Sequence, residues 1–393
     1  MVTLHEAEQL LEKLSKSSLK VVPTHCVCVR NRNASCNACT TACPNHALTI
    51  ENNQLLLDPD ACTNCGSCAN ACPTQALSSA ALPHDAWLDL AQSLTNRRSQ
   101  VWVCCQEHPL AQENLEHLLV IPCLAHLDEV HYLIMARYKI SLHLLHGSCL
   151  SCKKGCVSSL IEKTFALAQF LAKTYALPLE CTIQEEHDKE TSSYPFAQDK
   201  GGFSRRGFFN SMTKSLKHLG YIAAESALEP ALMSQKPQPT LAEKLTQAPG
   251  ELKVFMPQRN TLLLNILFEA QQNHPTPKTL CLETRFWGNV TIESTCTNCG
   301  MCAQFCPTHA LVHRVEEKAQ TKPFPLFNSN QSLHPQKPQH KKAYHEFRCS
   351  DCIQCKLCED VCLTKSLHVQ RTILNSDLFN LEPRTLTPHD DKG

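Results

Sequence analysis

Apolar and polar positions along this chain follow two different periods, and the switches between them mark its elements. Between Cys43 and Cys62 the stretch ALTIENNQLLLDPDA reads as a strand, a turn at Asn52 and Asn53, and a second strand. From residue 82 to 186, short apolar runs alternate with amphipathic segments. The expected elements are a helix near Asp85 to Leu94, strands at Gln100 to Cys104 and His117 to Pro122, and a helix from Leu127 to Tyr138. A strand at Ile140 to Leu145 and a long helix from Val157 to Tyr175 follow. That order suggests a mostly parallel sheet. At the N-terminus, Leu4, Leu10, Leu11 and Leu14 among Glu6, Glu8, Glu12 and Lys13 suit an amphipathic helix. No apolar h-region or cleavage site marks a signal peptide. No window approaches the roughly 20 apolar residues that span a bilayer. The expected location is the cytoplasm, with no direct membrane insertion.

Charge and glycine content remove several function classes. The 37 basic and 37 acidic residues cancel, so no field marks a nucleic-acid or anionic-membrane partner. Only 11 glycines occur, with no G-x-G-x-x-G after a strand and no G-x-x-x-x-G-K-[ST]. A phosphate cradle needs such glycines for close backbone approach, so no nucleotide cofactor is expected. The 26 cysteines, in contrast, exceed any packing need and point to disulfides, zinc or iron–sulfur chemistry.

An internal repeat decides among these. Residues 62–77 read CTNCGSCANACPTQAL and residues 296–311 read CTNCGMCAQFCPTHAL, identical at 12 of 16 positions. Each is C-x2-C-x2-C-x3-C-P, in which three thiolates take three corners of one cubane and the fourth cysteine turns to the neighbouring cluster. Zinc also takes thiolates, but zinc ribbons use two separated C-x2-C knuckles, which this packed run is not. Each copy has a companion: Cys36, Cys39 and Cys43-Pro44 upstream of the first, and Cys352, Cys355, Cys358 and Cys362 downstream of the second.

These paired runs resemble the bacterial two-cluster 4Fe-4S ferredoxins over about residues 26–80 and 286–370, in the manner of a polyferredoxin. The resemblance implies four 4Fe-4S clusters. Cys62, Cys65 and Cys68 would pair with Cys43, and Cys36 and Cys39 with Cys72. Asn33 stands where the remaining ligand belongs, and Cys28 is the choice for it, with Cys26 as rival. In the second module Cys296, Cys299 and Cys302 would pair with Cys362, and Cys352, Cys355 and Cys358 with Cys306. Leu363 replaces the proline expected after Cys362, and Cys349 offers a competing register shifted by three. The register ending in x3-Cys is preferred. His46 and His309 follow Cys-Pro turns, as hydrogen-bond partners of sulfur or as exposed turn residues.

The fold expected is therefore α+β and multidomain, with two ferredoxin-like modules flanking a small α/β domain with a parallel sheet. The modules cover residues 1–81 and 256–375, the α/β domain 82–186, a linker with helices 187–255 and a tail 376–393. The second module carries a proline-rich insertion at Lys322 to Lys342. Within the linker, Ser204-Arg205-Arg206-Gly207-Phe208-Phe209 resembles a twin-arginine signal but lies mid-chain, and reads as a capped helix start. In the α/β domain, cysteines fall where strands end, which is where open α/β sheets hold ligands. Cys104 or Cys105 with Cys123, Cys149 and Cys152 could form an extra iron–sulfur site, Cys104 being taken as its first member. Alternatives are inert buried thiols, or a redox pair in C-x2-C beside Lys153 and Lys154. Cys181 and Cys281 stand alone as structural residues.

No nucleophile–base arrangement and no substrate signature occur, so the chain is expected to be no enzyme itself. The leading expectation is relay of single electrons between a donor and a redox enzyme complex. A molybdenum-dependent dehydrogenase, formate dehydrogenase included, or a hydrogenase would be that partner. Alternatives are an accessory protein for maturation of such an enzyme, or a catalytic subunit using the middle cysteines.

Overall fold

The computed structural model describes residues 19–94, 100–113, 115, 118–185, 252, 254–316 and 342–387. The expected N-terminal helix, the linker with Arg205 and Arg206, and the proline-rich insertion up to residue 341 lie outside these residues.

Two modules share one plan. In the first, strand Leu19–Val21 pairs antiparallel with Leu77–Ser79, and Leu48–Glu51 forms a hairpin with Gln54–Leu57. Asn52 and Asn53 make its turn with φ of 50° and 62°, a left-handed pair that asparagine tolerates better than most residues. In the second, Asn289–Ile292 pairs with Leu367–Gln370, and Leu311–Glu316 with Lys342–Phe347. In both, the strand before the first cysteine run meets the strand after the second, and a hairpin joins the runs. The segment read as a tail adds to this second sheet. Its strand Arg384–Leu386 pairs with Lys342–Phe347, held by the Arg384 guanidinium 5.5 Å from the Phe347 ring centre.

The middle of the chain is a four-stranded parallel sheet in the order Leu118–Ile121, Gln100–Cys105, Ser141–His146, Cys181–Glu185. The last of these is an edge strand, and its short polar sequence CTIQE carries no clear strand signal. Val101, Val103 and Cys105 share a core with helices His84–Leu94, Glu129–Arg137 and Ser158–Thr174, while Trp102 and Cys104 pack with Leu118 and Leu145. Asp128 caps the second helix, accepting from Val130 N at 3.2 Å, with His131 at 2.8 Å and His84 at 2.8 Å around its carboxylate. Burial would raise the Asp128 pKa, but the two histidines outweigh it and hold the group well below the carboxylate range.

Helix Gln258–Asn273, which no sequence expectation covered and which lies in the stretch assigned to the second module, buries Leu263 and Leu267 in the core of the α/β domain. That core runs on to Trp287 and Phe347, so the domain and second module share one apolar interior. A separate core fills the first module and takes in Leu357 and Val361 from the second. Among the described residues, no helix is long and apolar enough to cross a membrane.

Candidate metal centres

Short helices begin inside all four cysteine runs, at Ala38–Ala42, Ser67–Ala71, Met301–Phe305 and Leu357–Asp360. Each buries a cysteine on its first turn, and in the first three the next cysteine, Cys43, Cys72 or Cys306, caps the helix with ψ of 109°, 114° and 117°, which turns it away from the run that precedes it. Gly66 and Gly300, with φ of 81° and 75°, make the turn before two of these helices.

Four groups of thiols result. Cys68 faces Cys65, Cys43 and Cys62, and burial first and these neighbours second hold its pKa above the ordinary thiol value. Cys39 is pushed up to about 12 by burial, then by Cys72, Cys36 and Cys26. Cys302 is pushed up to about 12 by burial and by Cys296, Cys299 and Cys362. Cys358 lies well above its ordinary value through burial and its neighbours Cys355, Cys352 and Cys306. Thiols gathered and buried in this way resist ionisation until a cationic centre binds among them.

One expected member changes. Cys26, not Cys28, lines the cavity shared by Cys36, Cys39 and Cys72. The helical turn Val27–Arg30 directs the Cys28 thiol to the Cys36 carbonyl at 3.2 Å and to the Cys26 sulfur, whose pKa that hydrogen bond lowers. Cys28 thus supports Cys26 from behind. Cys349, beside Cys352, directs its thiol to the Gly288 carbonyl at 3.6 Å and is not among the thiols that face Cys358.

The spacing of the sulfurs fits a cluster better than a single ion. Zinc bonded to sulfur at about 2.3 Å would draw four sulfurs to within about 4 Å of each other. Among the described residues only His84, Asp128 and His131 bring three metal-type donors within 4.8 Å of one another. Those three are already joined to each other as the helix cap. The Cys26 quartet instead lines a partly open pocket of about 310 Å³, solvent at its mouth included.

Hydroxyls and amides approach the sulfurs. Thr74 lies 3.5 Å from Cys72, Thr308 3.8 Å from Cys306 and Thr364 3.6 Å from Cys362, while Ala47 N donates to Cys43 at 3.3 Å. Burial would raise the Cys362 pKa, but hydrogen bonds from Thr364 and Ser366 bring it below the ordinary value. Such contacts tune iron–sulfur potentials. His46 and His309 are exposed turn residues with φ of 50° and 55°.

Two arginines without a motif also frame the first module. Arg259 donates to the Asn70 carbonyl at 2.8 Å and to the Cys72 carbonyl. Arg285 reaches the same Asn70 carbonyl at 2.7 Å and pairs through Nε with Glu129 at 2.8 Å. Burial lowers the Arg259 pKa, with Arg285 adding to it, whereas Glu129 outweighs burial at Arg285 and raises it. Sequence reasoning missed both, since an isolated arginine has no spacing to read.

The middle cysteines divide by strand parity. Cys105, Cys123, Cys149 and Cys152 line one cavity at the carboxyl end of the parallel sheet. Cys104 is not among them. Neighbours on a strand face opposite ways, so Cys104 lies fully buried on the other face beside Trp102 and Leu145. The expectation that Cys104 joins this set is corrected accordingly.

No curated protein and no solved structure matches this chain. The family model of the 4Fe-4S dicluster domain matches residues 34–76 and 295–366, the stretches that carry the paired cysteine runs. With four thiol quartets in two modules of one plan, this is a ferredoxin-type iron–sulfur protein that binds several 4Fe-4S clusters.

Proposed function

We propose that the chain relays single electrons between a donor and a redox enzyme along a row of four 4Fe-4S clusters, with no substrate chemistry of its own. The ligand sets would be Cys43, Cys62, Cys65 and Cys68; Cys26, Cys36, Cys39 and Cys72; Cys306, Cys352, Cys355 and Cys358; and Cys296, Cys299, Cys302 and Cys362. A bound 4Fe-4S cluster supplies one-electron exchange at a potential set by burial and hydrogen bonds to sulfur. The polypeptide supplies order and insulation.

One observation carries this reading. The inner quartets of the two modules face each other, with Cys36 among the charges that raise the Cys355 pKa after burial and Cys306. The junction is pinned by Ser35, whose backbone N–H and hydroxyl donate to the Asp360 carboxylate at 2.8 and 2.9 Å. Two ferredoxins acting separately need no such contact; a conducting row does.

The row has a sheltered end and an open one. Cys65 is buried in the core shared with the α/β domain and Cys68 in the core of the first module, whereas Cys299 is exposed and Leu363, next to Cys362, is 79% exposed. The open end is where a redox partner would dock. We take that partner to be a cytoplasmic enzyme complex, a molybdenum-dependent dehydrogenase such as formate dehydrogenase or a hydrogenase.

Anaerobic reduction followed by EPR tests the relay. Reversible reduction of all four clusters is expected, and Cys355→Ser should slow electron exchange between the modules while leaving the first module's signals. Colourless or zinc-bound protein would overturn the reading. Clusters that resist reduction at physiological potentials would favour an accessory role in enzyme maturation.

A further inference from the structure

The cavity at the carboxyl end of the parallel sheet has the features of the quartets above and belongs to neither module. Its cysteines come from three strand ends. Cys105 closes Gln100–Cys105, Cys123 follows Leu118–Ile121, and Cys149 and Cys152 follow Ser141–His146. These are the positions at which a parallel sheet presents groups to a ligand. We infer that Cys105, Cys123, Cys149 and Cys152 hold a fifth 4Fe-4S cluster, next in line after the one assigned to Cys43, Cys62, Cys65 and Cys68.

Size supports this assignment first. The space among these residues, solvent at its mouth included, is about 320 Å³, against about 310 Å³ counted the same way at the Cys26 quartet in the ferredoxin-like module. These thiols also do not close to the spacing a single zinc ion requires, since no three of them come within 4.8 Å of one another. A surface redox pair made from Cys149 and Cys152 would leave unexplained why two buried thiols, Cys105 and Cys123, face the same space.

The surroundings suit a group of net negative charge. Backbone amides of Gly147, Glu107 and His108 approach the Cys105 sulfur, and Lys154 N donates to the Cys152 sulfur at 3.4 Å. The Lys154 side chain and His146 complete the wall. Binding would replace four S–H bonds by four Fe–S bonds, with the four protons released to solvent at the mouth beside Cys149 and Cys152.

Position gives the site its place in the row. Cys123 shares one buried core with Cys65 and Cys105, and the charges of Cys65, Cys105 and Cys149 act on it. The two loops are interlocked as well: the Thr63 hydroxyl donates to the Lys154 carbonyl at 3.1 Å, and the Lys154 ammonium donates to the Thr63 carbonyl at 3.3 Å. The sheltered end of the row would thus continue into the α/β domain.

Native mass spectrometry and iron analysis of the anaerobically purified full chain test this inference. Five clusters and about 20 irons per chain are expected, falling to four clusters and about 16 irons in Cys149→Ser/Cys152→Ser, with one EPR signal lost and the rest kept. Cys156→Ser, outside the cavity, should change neither count. Four clusters in the unaltered chain, zinc in place of the fifth, or loss of iron on Cys156→Ser would overturn the assignment. Four clusters would leave the relay reading intact, whereas no clusters at all would end both. The count on the unaltered chain decides the matter even if the double variant fails to fold.

Discussion

Residues 62–77 and 296–311 are nearly the same sixteen residues in two different settings. In the first copy Cys65, Gly66, Ser67 and Asn70 are buried against the α/β domain and its arginines. In the second, Thr297, Asn298, Cys299 and Gln304 face solvent. The four positions at which the copies differ lie mostly where those settings differ. Asn70 donates to the Leu127 carbonyl at 2.7 Å and accepts from Arg285 at 2.6 Å, and Gln75 accepts from Arg259 N at 2.8 Å. Their counterparts Gln304 and His309 are exposed. Phe305, in place of Ala71, packs on the core of the first module. The cysteines are the same in both copies, and the differing positions go with one copy being enclosed and the other exposed to solvent.

Breaking the enclosure should cost most at Asn70. Asn70→Ala strands buried carbonyls and part of the Arg285 fork, an expected loss of about 3–5 kcal/mol in chemical denaturation. Gln304→Ala should stay within about 0.5 kcal/mol. Equal effects at the two positions would show that burial does not separate the copies.

A pH titration of stability addresses the same enclosure through His126. Its ring is buried against the first copy, donating from Nε2 to the Asn64 carbonyl at 3.0 Å and accepting at Nδ1 from the Ser79 hydroxyl at 2.8 Å. Burial lowers its pKa to about 4. Between the unfolded value near 6.5 and about 4, the unfolded chain holds the extra proton. Stability is therefore complete above about pH 6.5 and falls by about 3 kcal/mol as pH drops through that window. His126→Asn should flatten the slope.

The glycines sharpen the comparison further. A Cβ at Gly66 would stand 2.5 Å from the His126 ring, while one at Gly300 would stand 3.0 Å from His313. Both backbones are left-handed, so either alanine costs about 1 kcal/mol in backbone strain. Gly66→Ala should exceed Gly300→Ala by a further 1–3 kcal/mol, because the enclosed ring has nowhere to move. Thermal unfolding of the two variants measures the difference.

The smallest effect should come from the junction. Arg30 is half-buried and lies near Cys306 and Cys355. Arg30→Gln removes a positive charge that favours the reduced centre, so the potential there should fall by tens of millivolts. Redox titration monitored by EPR checks the sign.

Much of the candidate site was readable because cluster binding depends on local spacing. C-x2-C-x2-C-x3-C places sulfurs within reach of one centre whatever surrounds them, and the hairpin at Asn52 and Asn53 follows from the turn chemistry of asparagine. Cys28 looked as good as Cys26 because both precede the run at a workable distance. Only the helical turn at Val27 showed which thiol faces the cavity. Cys104 and Cys105 are adjacent in sequence, and strand direction alone separates them.

By itself, then, the sequence determined what each module could bind, since thiol number and spacing are properties of a short stretch of chain. The tertiary structure decided which thiols meet, which copy of the repeat is enclosed, and that Arg259 and Arg285 clamp the first module. Those depend on contacts between residues up to 325 positions apart, such as Ser35 with Asp360, and no local pattern encodes such a meeting.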